Sequence, residues 1–171
     1  VTVYPLSWIY LYTEDSIARF LVIQLIAAMV GVASIIASGV LADRFGRRKL
    51  LGVTAIGIAL FALAAMPLLD GGAMGETAYL VIGFILLGLS FGQASGTIAS
   101  NFAQRNRYTA SAITSDLAWL FGAGFAPLAA LWISAKFGLW AGGAYLLSGA
   151  IVTLVILRLN RNLLPDDYKN P

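Results

Sequence analysis

Gly39-Val40-Leu41-Ala42-Asp43-Arg44-Phe45-Gly46-Arg47-Arg48-Lys49-Leu50-Leu51 is a dense basic turn set between two long apolar runs. Before it, Ile17 to Leu41 is apolar apart from Arg19, Gln24 and a few serines; after it, Leu50 to Leu69 carries no charge. A run of about 20 apolar residues, at about 1.5 Å rise each, matches a hydrocarbon core about 30 Å thick. The stretch therefore reads as a short loop at one membrane surface between two spanning helices. Its four cations, Arg44, Arg47, Arg48 and Lys49, assign that surface to the cytoplasm, because Lys and Arg accumulate in cytoplasmic loops.

Composition agrees with this reading. Of 171 residues 60% are hydrophobic and 11% charged, against roughly 25% charged in a soluble domain, so the chain is an integral membrane protein. It contains no cysteine and no histidine. Disulfides, thiolate or imidazole metal sites and Cys or His nucleophiles are excluded, and any proton chemistry falls to carboxylates. No cofactor is expected. The net charge of +3 sits in loops on one side, which is membrane topology and not a nucleic-acid footprint. Val1 opens the chain with no initiator Met and no charged leader, the mark of a fragment and not of a signal peptide.

Val1 to Tyr12 is aromatic and too short to span, and reads as the outer end of a helix. Tyr4, Trp8 and Tyr12 recur every fourth residue, a spacing that serves one helix face or, with Tyr10, an interfacial aromatic belt. Asp15 and Arg19 stand four apart and can pair at a helix start, with Arg19 snorkelling outward. Asp70 to Glu76 reads as an acidic, glycine-rich outer turn. Further helices are expected over Thr77 to Phe102, Thr109 to Ala135 and Leu139 to Leu157, followed by a polar tail. Arg105, Arg107, Arg158, Arg161 and Lys169 then join the four loop cations on the inner side, against Arg19 and Lys136 outside. That imbalance supports the orientation.

Two ladders of small residues mark packing stripes: Gly88, Gly92, Gly96 and Ser100, and Ala118, Gly122, Ala126, Ala130 and Ser134. Each removes bulk from one helix face and lets a neighbour approach closely, which is how helices associate in lipid.

The residues from Gly39 through Leu-Ala-Asp-Arg to Gly46-Arg47-Arg48 resemble the signature loop of the major facilitator superfamily. Arg107-Tyr108-Thr109-Ala110-Ser111-Ala112 and Gly122-Ala123-Gly124-Phe125-Ala126-Pro127 are similar to the loop and eleventh helix of its metabolite:proton symporters. The resemblance implies an all-α polytopic membrane helix bundle, the C-terminal six-helix half of that fold with its first helix truncated. Residues 1–157 would be the transmembrane half and residues 158–171 a cytoplasmic tail. It further implies that Gly39, Asp43, Arg44, Gly46, Arg47 and Arg48 act as a conformational latch, with Asp43 near a helix start in the absent N-terminal half. Ser100 and Ala103 depart from the family, standing where relatives carry a Glu and a Pro. Without that Glu, Arg47 needs another partner. Asp116 departs too, replacing an uncharged amide.

The expected function is secondary active transport, proton-coupled symport of a small organic solute such as a carboxylate across a bacterial inner membrane. Binding sites of such proteins lie near the midplane between two halves, which makes Tyr4, Trp8, Gln93 and Thr97 the candidate solute contacts. Asp116, seven residues into its helix, is the only acid inside an expected span and the candidate proton carrier; Thr109, Ala123 and Pro127 share its face at about 100° per residue. Pairing with an arginine is the structural alternative for Asp116. A non-transporting membrane scaffold is the rival reading, and an enzyme is disfavoured for want of His, Cys or paired intramembrane carboxylates.

Overall fold

The computed structural model describes residues 17–100 and 104–159, which are nearly all helical with no strand among them. The helices are α1 (Ile17–Phe45), α2 (Arg47–Leu69), α3 (Gly72–Ser100), α4 (Arg107–Trp119), α5 (Ala126–Phe137) and α6 (Leu139–Leu159), with a π-helical segment, Leu120–Phe125, joining α4 to α5. That junction makes Arg107–Phe137 one span, so five described helices are long and apolar enough to cross a membrane. The chain is a polytopic membrane helix bundle.

Helices are the local answer because lipid offers no partner to a backbone N–H or C=O, so every such bond must close within the segment. Hydroxyls obey the same constraint. Ser34 donates to the carbonyl of Val30 at 2.9 Å, Thr54 to Leu50 at 3.0 Å and Thr114 to Ala110 at 2.7 Å. Each bonds one turn back in its own helix and needs no outside acceptor.

The breaks between spans are shorter than the sequence suggests. The basic stretch is not a loop: Gly46 alone separates α1 from α2, with φ 88° and ψ 137°, and its N–H closes α1 on the Ala42 carbonyl at 2.8 Å. Gly138 separates α5 from α6 in the same way, at φ 86° and ψ 170°. Between α2 and α3 only Asp70 and Gly71 lie outside a helix. The expected outer turn Asp70 to Glu76 is therefore mostly the first turns of α3, and Glu76 is buried at 7% exposure. Three glycines in that stretch read as a turn, whereas the apolar period of the following helix runs back through it.

α2 and α3 are central. α1 packs on α3, α6 on α2, α5 on α6 and α4 on α3. α1 and α3 run in the same direction, since Gly31 meets Phe84 and Gly88 while Ser38, two turns on, meets Gly92. A Cβ added at Gly88 would stand 2.5 Å from the Gly31 carbonyl and 2.8 Å from Ser34 Cβ. The expected Gly88 and Gly92 seam is thus real. At the other end of the same helices Phe20, Ala27, Phe61, Ala65, Tyr79, Leu80 and Phe84 form the core, with the Phe61 and Tyr79 rings 4.9 Å apart.

The second ladder is only half a seam. Ala130 and Ser134 are buried, but Ala118 and Gly122 are exposed and nothing approaches Gly122 within 4 Å. The π-helical segment between the two halves is the reason. Pro127 has no N–H, and its ring would strike the carbonyl four residues back in a regular α-helix. The wider turn relieves this, with the Ala126 N–H bonding the carbonyl of Phe121 five residues back. One inserted residue rotates the rest of the helix by roughly 100°, so Pro127 no longer shares the face of Asp116.

Candidate functional site

The basic break is built by one residue. Because Gly46 closes the joint alone, Asp43 and Arg44 stay on the last turn of α1, and Arg47, Arg48 and Lys49 form the first turn of α2. All five charged side chains are exposed. Arg44 suits the negative end of the α1 dipole, whereas three cations at the N-terminus of α2 each cost about 0.3–1 kcal/mol. Helix stability does not explain them; topology does. Arg48 offsets part of its cost by donating to the Leu157 carbonyl on the last turn of α6. This contact brings the end of α6 to the same end of the bundle as Gly46.

α1 shows two different faces here. Ser34, Ser38 and Ala42 are buried. Gly39 and Asp43, one turn apart on another face, are exposed, and nothing lies within 4 Å of where a Gly39 side chain would be. The bare position at Gly39 is therefore not required by packing within this chain. The other candidates are scattered. Gln93 and Thr97 lie one turn apart on α3, just beyond the Gly88 and Gly92 seam, with their side chains outside the described residues; Tyr4 and Trp8 lie wholly outside them. Asp116 is exposed, near the end of α4, and its backbone carbonyl accepts from the Leu120 N–H at the entry to the π-helical segment.

Sequence reasoning missed four buried polar groups. Glu76 is an acid within a described span, as is Asp43 at the end of α1, so Asp116 is not the only one, and of the three Glu76 is the buried one. Its spacing from Tyr79 and Leu80, three and four residues, was the signal that could have found it. Gln24 on α1 has its Oε1 buried with no hydrogen-bond partner. At the start of α4, Arg107 Nε and Ser111 Oγ are likewise buried and unmatched.

Membrane-spanning helices with a small-residue seam and a one-glycine basic break define a polytopic α-helical membrane protein. The chain is 38% identical to the inner membrane metabolite transport protein YhjE of Escherichia coli K12 over 139 residues, which is 80% of this chain and 32% of that protein. Two proteins of Haemophilus influenzae Rd, both named putative metabolite transport proteins, are 35% and 36% identical over 133 and 135 residues. Those matches take in 77% and 78% of this chain and 30% and 31% of the relatives. The chain is similar to these metabolite transport proteins, in keeping with the major facilitator resemblance of its basic stretch. It spans about a third of the length of these relatives. No family model and no solved structure matches it.

Proposed function

We propose that the whole protein is a secondary active transporter that carries a small organic solute, a carboxylate or similar metabolite, together with a proton across the bacterial inner membrane. This chain would supply the C-terminal half, residues 1–157, and residues 158–171 would be a cytoplasmic tail. The N-terminal half, the lipid bilayer, the solute and the proton are its partners in this reading. The observation that carries it is the joint at Gly46, where the signature residues Gly39 and Asp43 face away from their own bundle. A latch needs that arrangement, since Asp43 must reach a second half. The relatives' names support the transport of metabolites.

In this reading Tyr4, Trp8, Gln93 and Thr97 contact solute, and Asp116, exposed beside the π-helical segment, exchanges the proton with water. Such segments are rare and occur often at functional sites. The test uses the full-length protein in liposomes, with a panel of radiolabelled mono- and dicarboxylates and an imposed pH gradient, inside alkaline. Accumulation that collapses when the gradient is dissipated supports proton symport; uptake indifferent to the gradient overturns it. Asp116→Asn should abolish driven accumulation while sparing solute exchange at equal pH, and an unchanged pH dependence would remove Asp116 from the mechanism.

A further inference from the structure

The bundle holds a carboxylate that the proposed transport scheme leaves unused. Glu76 is 7% exposed, on the second turn of α3. Tyr79, three residues on, is 4% exposed, so the two share the face of α3 that points into the core. Glu76 has an interaction partner, yet burial makes an ionised carboxylate costly whether or not it is paired. Intramembrane acids kept in such places by default mark ion or proton sites.

Gln24 supplies a second, independent observation. Its Oε1 is buried without a donor, and a buried acceptor with no donor costs about 1–3 kcal/mol. Gln24 lies four residues after Phe20 and three before Ala27, both of which pack in one cluster with Tyr79 and Leu80. The register of the parallel helices, Gly31 against Phe84 and Gly88 and Ser38 against Gly92, sets Gln24 level with the segment from Thr77 to Val81, within about a turn of Glu76. An ionised carboxylate only accepts hydrogen bonds; a protonated one also donates. Protonation therefore creates the kind of donor that Gln24 lacks.

We propose that Glu76, with Gln24 and Tyr79, forms a proton-binding site in the half of the bundle remote from the Gly46 break. Its role in coupling rests on the proton-symport reading; its existence does not. Among the described residues, the charged groups on the elements packed against α3 at this end are Arg19, exposed on the first turn of α1, and Asp70, exposed just past α2. The cations flanking Gly46 and Arg107 stand at the opposite end, and Asp116 lies about two and a half turns along α4 from it. Arg19 and Asp70 are both solvent-exposed, which screens their charge. The site would thus hold its proton on one face of the membrane, while Asp116 serves the region beside the π-helical segment.

The probe is the proton itself. Infrared difference spectra of the full-length protein in liposomes, stepped in pH, should show a protonated-carboxyl stretch that is absent in Glu76→Gln and displaced in Glu76→Asp. Gln24→Leu should shift the same band, because the acid loses its acceptor. A band set identical in wild type and Glu76→Gln overturns the site, and if that variant fails to assemble, an undisplaced spectrum in Glu76→Asp does so equally. The band changes do not require transport. A Glu76 that titrates in a protein whose uptake ignores the pH gradient supports the site and overturns the symport reading.

Discussion

The two signature glycines are glycine for different reasons. Gly46 sits at φ 88° and ψ 137°, a region open essentially to glycine alone, where another residue stores about 1–3 kcal/mol of strain. Gly39 lies in regular helix with open space beside it, where alanine gains up to about 1 kcal/mol of helix propensity. Gly46→Ala should therefore lower the thermal unfolding midpoint of the full protein in detergent, while Gly39→Ala leaves it equal or raises it. Equal losses for both variants would mean that the joint at Gly46 places no special demand on its backbone. Neither cause was legible in the motif. The run Gly39 to Lys49 announces a basic break, but its letters do not say which glycine turns the chain and which faces outward.

Elements meet in this protein by close approach and not by apolar burial, because the alternative environment for each helix face is equally apolar lipid. The α1 and α3 crossing is a close one. At Gly88 an added methyl would meet backbone, the Gly31 carbonyl at 2.5 Å, whereas at Gly57 it would meet the flexible tip of Leu86 at 2.9 Å. At Gly149 on α6 nothing lies within 4 Å. Alanine at these positions should destabilise in that order, Gly88→Ala by about 1–3 kcal/mol as overpacking, Gly57→Ala by less and Gly149→Ala not at all. Denaturation of the three variants in one detergent checks the ranking, and a Gly149→Ala loss as large as that of Gly88→Ala would refute the crossing. The Gly88 and Gly92 rungs of the first ladder were readable from their spacing, while the surroundings of Gly96 and Ser100 lie outside what the structure describes. The Ala118 ladder misled, because a period of four presumes an unbroken α-helix and the widened turn before Pro127 breaks it.

At the scale of the whole molecule the spans alternate, so Gly46 and the end of α6 share one end of the bundle and the turn at Asp70 and Gly71 lies at the other. The contact of Arg48 with Leu157 ties the first pair together. Phe45, 58% exposed, and Met74, 86% exposed, mark the two ends. With the basic end cytoplasmic, Met74→Cys should react with an impermeant thiol reagent in intact cells and Phe45→Cys only after permeabilisation, read on a background in which any other native cysteine is replaced. The reverse pattern would invert the orientation.

By itself the sequence determined how many described spans there are, where they lie and which end is basic. Membrane thickness and the closure of backbone hydrogen bonds act on length and composition, and both are read directly from the chain. Tertiary structure decided which side chains face a neighbour. Hydropathy cannot tell a seam from a lipid face when both are apolar, so Asp116 was read as the only acid inside a span and Glu76 as part of a surface turn by its glycines. Packing of α3 against α1 and α2 decided which acid is enclosed: Glu76 lies inside because Tyr79 and Leu80 on the same face enter the core, whereas Asp116 on α4 is exposed.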